Sequence, residues 1–598
     1  MKKELGVQKA TIATGSEQPL ELVERELVEE AYANLEIFQQ GCKDYHDRAK
    51  ENRKIILMDD PRQDAQRNPK QDKKTIQLQT LKSTFNCIVA DQMDNMPEAQ
   101  LSPERADLIP VVDDMNDAVR YVFAHNKYEE LHRVRVEDFV GVGTAITQVC
   151  WDQTMDGGKG NIALIRWPVE AFLWDPMYEN IQDARACIKV SWHPLSWYAA
   201  HYPDKAEYIQ NENGSHESVG MTDAQAAKYG QDEELAMLME YWYRRFDAKT
   251  NRYTINVAYF AGGALLEHAE DVFDHGMYPF VLDVFSRCEG MPVGPGQVDE
   301  MAPTMRYINR YMSYIDMNLR MSSKGRLLLR RGSNIDKEAL ADWSRDVIEG
   351  DRVAPEDVHW LQNQPFTGMV VQQLLQLQSD IKQDSGQNQM TRGETAGGVT
   401  AASAISALQE AGGKITRLRT AVLNHGFARI VEQVMWLMHQ FYDDNRRLMI
   451  SGRTSEIDAS PKHLFGEKDS AYPAPPYSVQ VQVSRRNPLR VQAQNDLFLQ
   501  AYSMSAQAGT NFPLTTLFQL LNVDGKDKIL PVLEQNDKTT QLIQSLQQQI
   551  EQLTVAGQEQ QKVMASLQQT IAKQNQALAR GQAVQYDPTG LNAETNTK

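Results

Sequence analysis

The residues best suited by type to do chemistry are few, and their spacing argues against catalysis. Gly412-Gly413-Lys414 sets two glycines before a lysine, but it lacks the GxxxxGK[ST] spacing that wraps backbone N–H groups around a phosphate. It also lies within helical periodicity. Gly141-Val-Gly-Thr-Ala lacks the third glycine of a dinucleotide loop and follows a helical stretch rather than a strand. Asp59-Asp60 and Asp113-Asp114 are adjacent carboxylates of the kind that can share acid and base roles, yet in polar surroundings they read as solvated surface. The twelve histidines include no HExxH and no ligand pairing. Cys42, Cys87, Cys150, Cys187 and Cys288 lie far apart with no CxxC, which points to reduced thiols rather than a zinc ribbon or disulfide framework. No catalytic residue, metal or cofactor is expected.

One irregular stretch has another chemistry. Gln387 to Thr400 reads QNQMTRGETAGGVT. Its glycines give mobility, Thr391, Thr395 and Thr400 give hydroxyls, and Arg392 and Glu394 give one charge of each sign. Such a loop can touch a polyanion weakly without gripping it; it can equally be plain solvent loop. The formal net charge of −18 over 598 residues disfavours a sequence-specific DNA binder, whose affinity comes from neutralising phosphates. The same acidity suits a conduit, in which sticking to DNA is a fault. No apolar run approaches the roughly 20 residues of a membrane span. The basic start MKKELGVQKATIATGSEQ has no apolar core of a secretory signal.

Several elements must position that loop. Apolar residues at Leu22, Leu27, Ala31, Leu35 and Phe38 give a helix over 19–57, followed by a polar loop at 59–75. Further helices are expected at 76–93 and 111–140. Ala145–Trp151 and NIALIRW, joined by MDGGKG, make a hairpin, and extended pieces end at Trp174 and run through ACIKVSW. A short helix follows at 194–202, then a polar surface loop at 211–232 and strands near 238–246 and 253–259, so this region is α+β with antiparallel hairpins. A break at Gly290–Gly296 precedes a helix from Gln297 to Ser323, with Met301, Met305, Ile308, Met312, Ile315 and Leu319 on one stripe and a length of roughly 40 Å. A small unit over 326–364 has a basic entrance and an acidic middle, and a helix at 370–383 carries Val371, Leu374, Leu377 and Ile381. Two helices with a small unit between them describe a projecting arm. The longest helix runs from the Gly398 loop to Phe441, bent near Gly412-Gly413. Strands near 446–457 and 477–486, a helix at 489–508 and short helices over 512–536 follow. Ile543, Leu546, Ile550, Leu553, Met564, Leu567, Ile571 and Leu578 then mark heptads of a coiled coil or helical barrel with a Gln-rich exterior.

The order of parts resembles the portal proteins of tailed bacteriophages. The stretches carrying it are QVDEMAPTMRYINRYMSYIDMN after a Gly-Pro-Gly break, GVTAASAISALQEAGGKITRLRTAVLNHGF after a Gly/Thr loop, FQQGCKDYHDR and LWDP, over roughly residues 20–530. The resemblance implies an α+β, mostly α, portal fold without enzymatic activity. Its parts would be a flexible arm (1–19), wing (20–290), first stem helix (291–325), clip (326–366), second stem helix (367–383), tunnel loop (384–401), long kinked helix (402–446), wing return strands (447–490), crown (491–537), C-terminal coiled-coil helix (538–580) and disordered tail (581–598). It further implies a homo-oligomeric ring, twelve-fold in the virion, at the capsid portal vertex, assembled in the host cytoplasm. Double-stranded DNA, terminase large subunit, head-tail adaptors, major capsid protein and scaffolding protein are the implied partners, with no membrane. Thr391, Arg392, Glu394, Thr395 and Thr400 would face DNA. Arg330, Arg331, Asp336 and Glu338 would meet terminase and adaptor. Arg306, Arg310, Arg320 and Lys324 of the stem would either touch DNA weakly or bridge subunits. A competing reading is a coiled-coil scaffold or tail adaptor that never encloses DNA; a third is an enzyme with an unrecognised site.

Overall fold

The computed structural model describes residues 21–58, 78–211, 234–248, 251–323, 326–329, 358–361, 368–386, 413–449, 456–466, 474–485, 488–507 and 562–573, with single positions such as Gln18, Gly220, Asp336 and Glu338. By internal contact the chain divides into Met1–Leu448 with Ile457–Asn487, and Met449–Glu456 with Pro488–Lys598.

The first unit opens with α1 (Leu22–Ile56), whose Leu27, Ala31, Leu35 and Phe38 are buried at helical spacing. Glu24 starts it by reaching back to accept the Glu21 N–H at 3.0 Å. Helix α2 (Thr80–Met93) begins later than the expected residue 76. It leads into β1 (Asn95–Pro103). The single helix expected over 111–140 is in fact two, α3 (Val112–His125) and α4 (Tyr128–Gly141). Between them Lys127 adopts a left-handed φ of 49°. The reason lies in another element. Asn126 donates to Ile162 O at 2.9 Å and accepts the Leu164 N–H at 2.9 Å, so it pairs with a strand backbone where a helix would have continued.

That strand is β3 (Asn161–Trp167), paired antiparallel with β2 (Thr144–Asp152) as the expected hairpin, with Cys150 opposite Ala163. Next come β4 (Phe172–Trp174), β5 (Ala186–Pro194), α5 (Leu195–His201), β6 (Leu235–Asp247), β7 (Arg252–Ala261), β8 (Ala264–Ala269) and β9 (Phe280–Val284). They form a three-stranded sheet β3-β2-β9 and a five-stranded sheet β4-β5-β6-β7-β8. Every pairing in them is antiparallel, as hairpin connections require.

Helix α6 (Gln297–Ser323) has the bounds read from sequence. Strands β10 (Arg326–Leu329) and β11 (Val358–Leu361) pair antiparallel, and α7 (Gly368–Asp384) returns. Helix α8 (Lys414–Phe441) begins directly after Gly413. It ends at Phe441, as its apolar stripe predicts, where Tyr442 turns extended with ψ 138°. Its second-half stripe, Leu423, Phe427, Ile430, Val434 and Leu437, is buried as the spacing requires. Short strands β12 (Arg447–Leu448) and β13 (Ile457–Asp458), helix α9 (Pro461–Phe465) and β14 (Tyr477–Arg485), which pairs with β1, complete the unit. One core joins α2, α4, α6, α7 and α8 through Ile88, Phe139, Met301, Ile308, Leu374 and Leu423. Each such side chain contributes about 1.5–3 kcal/mol by leaving water.

In the second unit, α10 (Pro488–Gln507) and a helix over 562–573 are described. Met564, Leu567 and Ile571 of the expected heptads are exposed on the single chain. The expected N-terminal arm, the loop at 59–75, most of 211–232 and of the 384–401 loop, the helix over 402–412, the short helices over 512–536 and the tail lie outside the described residues.

Candidate functional site

α6 and α7 make an arm whose two lower ends meet at one buried side chain. Arg419, in the first turns of α8 and 6 % exposed, donates to Ser385 O just past α7 at 3.2 Å. Its other terminal nitrogen donates to Gln297 Oε1 at the first residue of α6. The guanidinium lies 5.2 Å from the centre of the Phe285 ring. Arg419 is met by a carbonyl, an amide and a ring rather than a carboxylate. Burial accordingly lowers its pKa, with Glu300 and Asp91 opposing. Because the start of α6 and the end of α7 share this contact, the helices run antiparallel. The β10–β11 pair closes the far end.

A second anchor fixes where α6 begins. The buried Tyr45 hydroxyl of α1 lies 2.8 Å from Thr144 Oγ1, 3.1 Å from Val142 O and 2.9 Å from Gly294 O. Thr144 Oγ1 also accepts the Gly294 N–H at 3.2 Å. Gly143, at φ +95°, runs against the backbone of Gly294 and Gly296, and a Cβ on Gly143 or Gly294 would overlap a carbonyl oxygen. Gly143 of Gly141-Val-Gly is thus spent on close backbone approach and Gly141 on the packing of the Ile56 and Phe85 side chains, not on a phosphate. Asp299 accepts the Gly296 N–H at 2.8 Å and pairs with Arg48 at 3.4 Å, which satisfies the N-terminus of α6.

A third anchor holds α8 to the sheet. Arg135 of α4 donates to Asp283 Oδ2 of β9 at 2.6 Å, to the Tyr128 hydroxyl at 2.8 Å and to Leu423 O of α8 at 2.8 Å. Burial alone would lower the Arg135 pKa, but Asp283 and Tyr128 outweigh it and the net shift is upward. Gly426 passes directly over the pair; a Cβ there would overlap Asp283 Oδ1 and stand 2.6 Å from Arg135 Nη2. Beside it His132 is pushed down to about 3 by burial and by the Arg135 charge.

The residues singled out from sequence are distributed as follows. Arg306 sits on α6 and pairs within the chain with Glu51 of α1. Arg310 lies 5.5 Å from the Tyr307 ring centre. Arg320 is on α6, and Asp336 Oδ1 accepts the Glu338 N–H at 3.0 Å. Lys324, Arg330, Arg331, Thr391, Arg392, Glu394, Thr395 and Thr400 lie outside the described residues. Arg419, Arg135, Asp283, Tyr45 and Gly426 were not singled out; their partners are distant in sequence. Gly426, a glycine inside the apolar stripe of this helix, was the one available signal.

An open groove of about 1360 Å³ runs between α8, β9, the loop before β5 and the start of β14. It mixes Glu179, Asp183 and Glu432 with Arg287, Arg429 and Trp436. Among the described residues no cluster of three metal-ligating side chains occurs, and no helix is long and apolar enough to cross a membrane.

The phage P22-like portal protein family model matches residues 59–585, and the chain belongs to that family. No curated protein matches the chain. Membership makes it a structural, homo-oligomeric component of the portal vertex of a phage capsid rather than an enzyme.

Proposed function

We propose that the chain forms a twelve-fold ring through which terminase drives double-stranded DNA into the capsid and through which DNA leaves. The observation carrying this reading is the α6–α7 arm, locked at its root by Arg419, in a member of the portal family. In this reading 20–290 and 447–490 are wing, 291–325 and 367–383 stem, 326–366 clip, 384–401 tunnel loop and 491–537 crown. The exposed heptad residues Met564, Leu567 and Ile571 favour a helical barrel above the crown. They are also the feature that a coiled-coil scaffold or adaptor would share. Native mass spectrometry with electron-microscope top views separates the two. A closed ring of about twelve subunits with a central hole is expected; a dimer or trimer that never closes under any condition favours the scaffold.

Within this reading Thr391, Arg392, Glu394, Thr395 and Thr400 face DNA. Arg330, Arg331, Asp336 and Glu338 meet terminase large subunit and then the head-tail adaptor. Major capsid and scaffolding proteins are partners during assembly in the host. Arg310, Arg320 and Lys324 touch DNA weakly or bridge subunits; the Glu51 pair leaves Arg306 less suited to either. Deleting 392–398 should abolish DNA retention while rings still form, and reversing the charges of 330, 331, 336 and 338 should abolish packaging. Normal packaged-DNA yield from both variants would remove these assignments.

A further inference from the structure

The junction of α4, β9 and α8 holds a titratable side chain that none of its hydrogen bonds uses. His132 lies on α4 one turn before Arg135 and is 1 % exposed. Neither of its ring nitrogens has a hydrogen-bond partner among the described residues. Buried polar atoms are ordinarily paired, and leaving one unpaired is costly. The ring is packed among aromatics instead. Its centre lies 5.6 Å from that of Tyr128, and Tyr128 in turn stands 4.8 Å from Phe123 of α3 and 5.3 Å from Phe427 of α8.

The groups facing this junction admit a neutral imidazole and not a charged one. α4 itself supplies the Arg135 cation and the Tyr128 hydroxyl, and β9 supplies the Asp283 carboxylate. α3 and α8 supply the Phe123 and Phe427 rings and the Leu423 carbonyl, which Arg135 already uses. Asp283 Oδ2 accepts from Arg135, and its Oδ1 lies against Gly426. Burial and the Arg135 charge together hold the His132 pKa down at about 3. A proton on His132 would make a second cation beside Arg135, with one carboxylate for the two. The elements differ in how firmly they are held. Asp138 ties α4 to Arg53 at 2.9 Å and to Arg166 at 2.6 Å, and β9 is paired with β2 over five residues. At this junction α8 offers one carbonyl, Leu423 O, and a bare glycine.

We propose that this junction is a proton-sensitive latch, in which protonation of His132 releases the middle of α8 from the sheet. The inference concerns the single chain and stands whether or not the chain closes into a ring. Its sign follows from linkage. While the junction is closed, His132 takes a proton only near pH 3. Once opening brings the ring to water, it takes one near the ordinary histidine value of about 6.5. The open form therefore binds more protons below that value, and opening is favoured as the pH falls, until the gain levels off near the closed-form pKa. Between pH 7.5 and pH 5.0 the opening equilibrium constant rises about 30-fold from this one group. At neutral pH the latch is shut, because His132 is then mostly neutral in either form.

Hydrogen exchange of the full-length chain, read by mass spectrometry at pH 7.5 and pH 5.0 and corrected for the intrinsic rate at each pH, tests this. The concentration is one at which native mass spectrometry gives the same oligomeric state at both. Protection over 423–434 of α8 is expected to fall about 30-fold in the wild type, since protection reports the opening equilibrium. Peptides of β6, in the other sheet, are the reference and should not follow it. His132→Phe keeps an aromatic ring among Tyr128, Phe123 and Phe427, and His132→Leu is a smaller second variant; neither can take a proton, so neither should show the fall. Each variant is compared with itself at the two pH values, so a change in its basal stability cancels. A wild-type α8 equally protected at both pH values overturns the latch, whatever the variants do. An equal fall in the wild type and the variants assigns the effect to another group and overturns it too. A fall shared by β6 means that acid unfolds the chain as a whole, and no latch is present.

Discussion

Gly426→Ala destabilises the protein, against the ordinary sign of that substitution. In a helix interior, alanine is normally favoured over glycine by about 1 kcal/mol. Here the added methyl has no room. It would overlap Asp283 Oδ1 and press on Arg135 Nη2, both buried. Relief requires either lifting α8 from the sheet, which opens the contacts of Leu423, Phe427 and Ile430, or parting an ion pair that has no water to turn to. Overpacking costs about 1–3 kcal/mol and parting a buried pair about 3–5 kcal/mol. A loss of about 3 kcal/mol or more is therefore expected in urea unfolding of the dilute chain. Ala421→Gly, on an exposed position of the same helix, sets the scale at about 1 kcal/mol. If Gly426→Ala costs less than Ala421→Gly, the close approach at Gly426 is wrong.

Asp283→Ala has an effect of similar size through electrostatics rather than volume. It leaves the Arg135 guanidinium, 1 % exposed, without its counter-charge. The remaining partners, Tyr128 Oη and Leu423 O, are neutral. Stranding a buried charge costs about 3–5 kcal/mol. Replacing both partners by apolar residues, Arg135→Met with Asp283→Leu, should cost clearly less than the sum of the single changes, since neither charge is then stranded. Unfolding curves for the four proteins give the coupling. Additive costs would show that Arg135 and Asp283 do not act as a unit. Loss of this anchor frees the middle of α8, so the yield of the homo-oligomer should fall along with stability.

These two sites illustrate which parts of the molecule were legible in the sequence. The bounds of α6 were, because its Met and Ile steps and the Gly-Pro-Gly stop before it act locally. The β2–β3 hairpin was, because its alternation and its turn lie within 24 residues, Thr144 to Trp167. The break between α3 and α4 was not. Helical periodicity continues through Asn126, and only the backbone of β3 gives that side chain a reason to end the helix.

The candidate site was legible as an arm and not as a set of residues. Arg135, Asp283 and Arg419 are charged side chains without a local pattern, and charge in sequence reads as surface. They are buried because their partners arrive from 148 and 122 positions away. Gly141-Val-Gly could be excluded as a nucleotide loop from its neighbours, but its use could not be seen without Gly294 and Gly296 beside it.

The sequence by itself determined the helix-rich α+β class, the hairpins, the arm and the family resemblance, because hydrophobic period and turn chemistry are local properties of the chain. The tertiary structure decided which glycines admit a neighbouring backbone, which charges are paired out of water, and which residues of α6 face the core. Those depend on what long-range folding brings alongside, and no spacing within one segment carries that information.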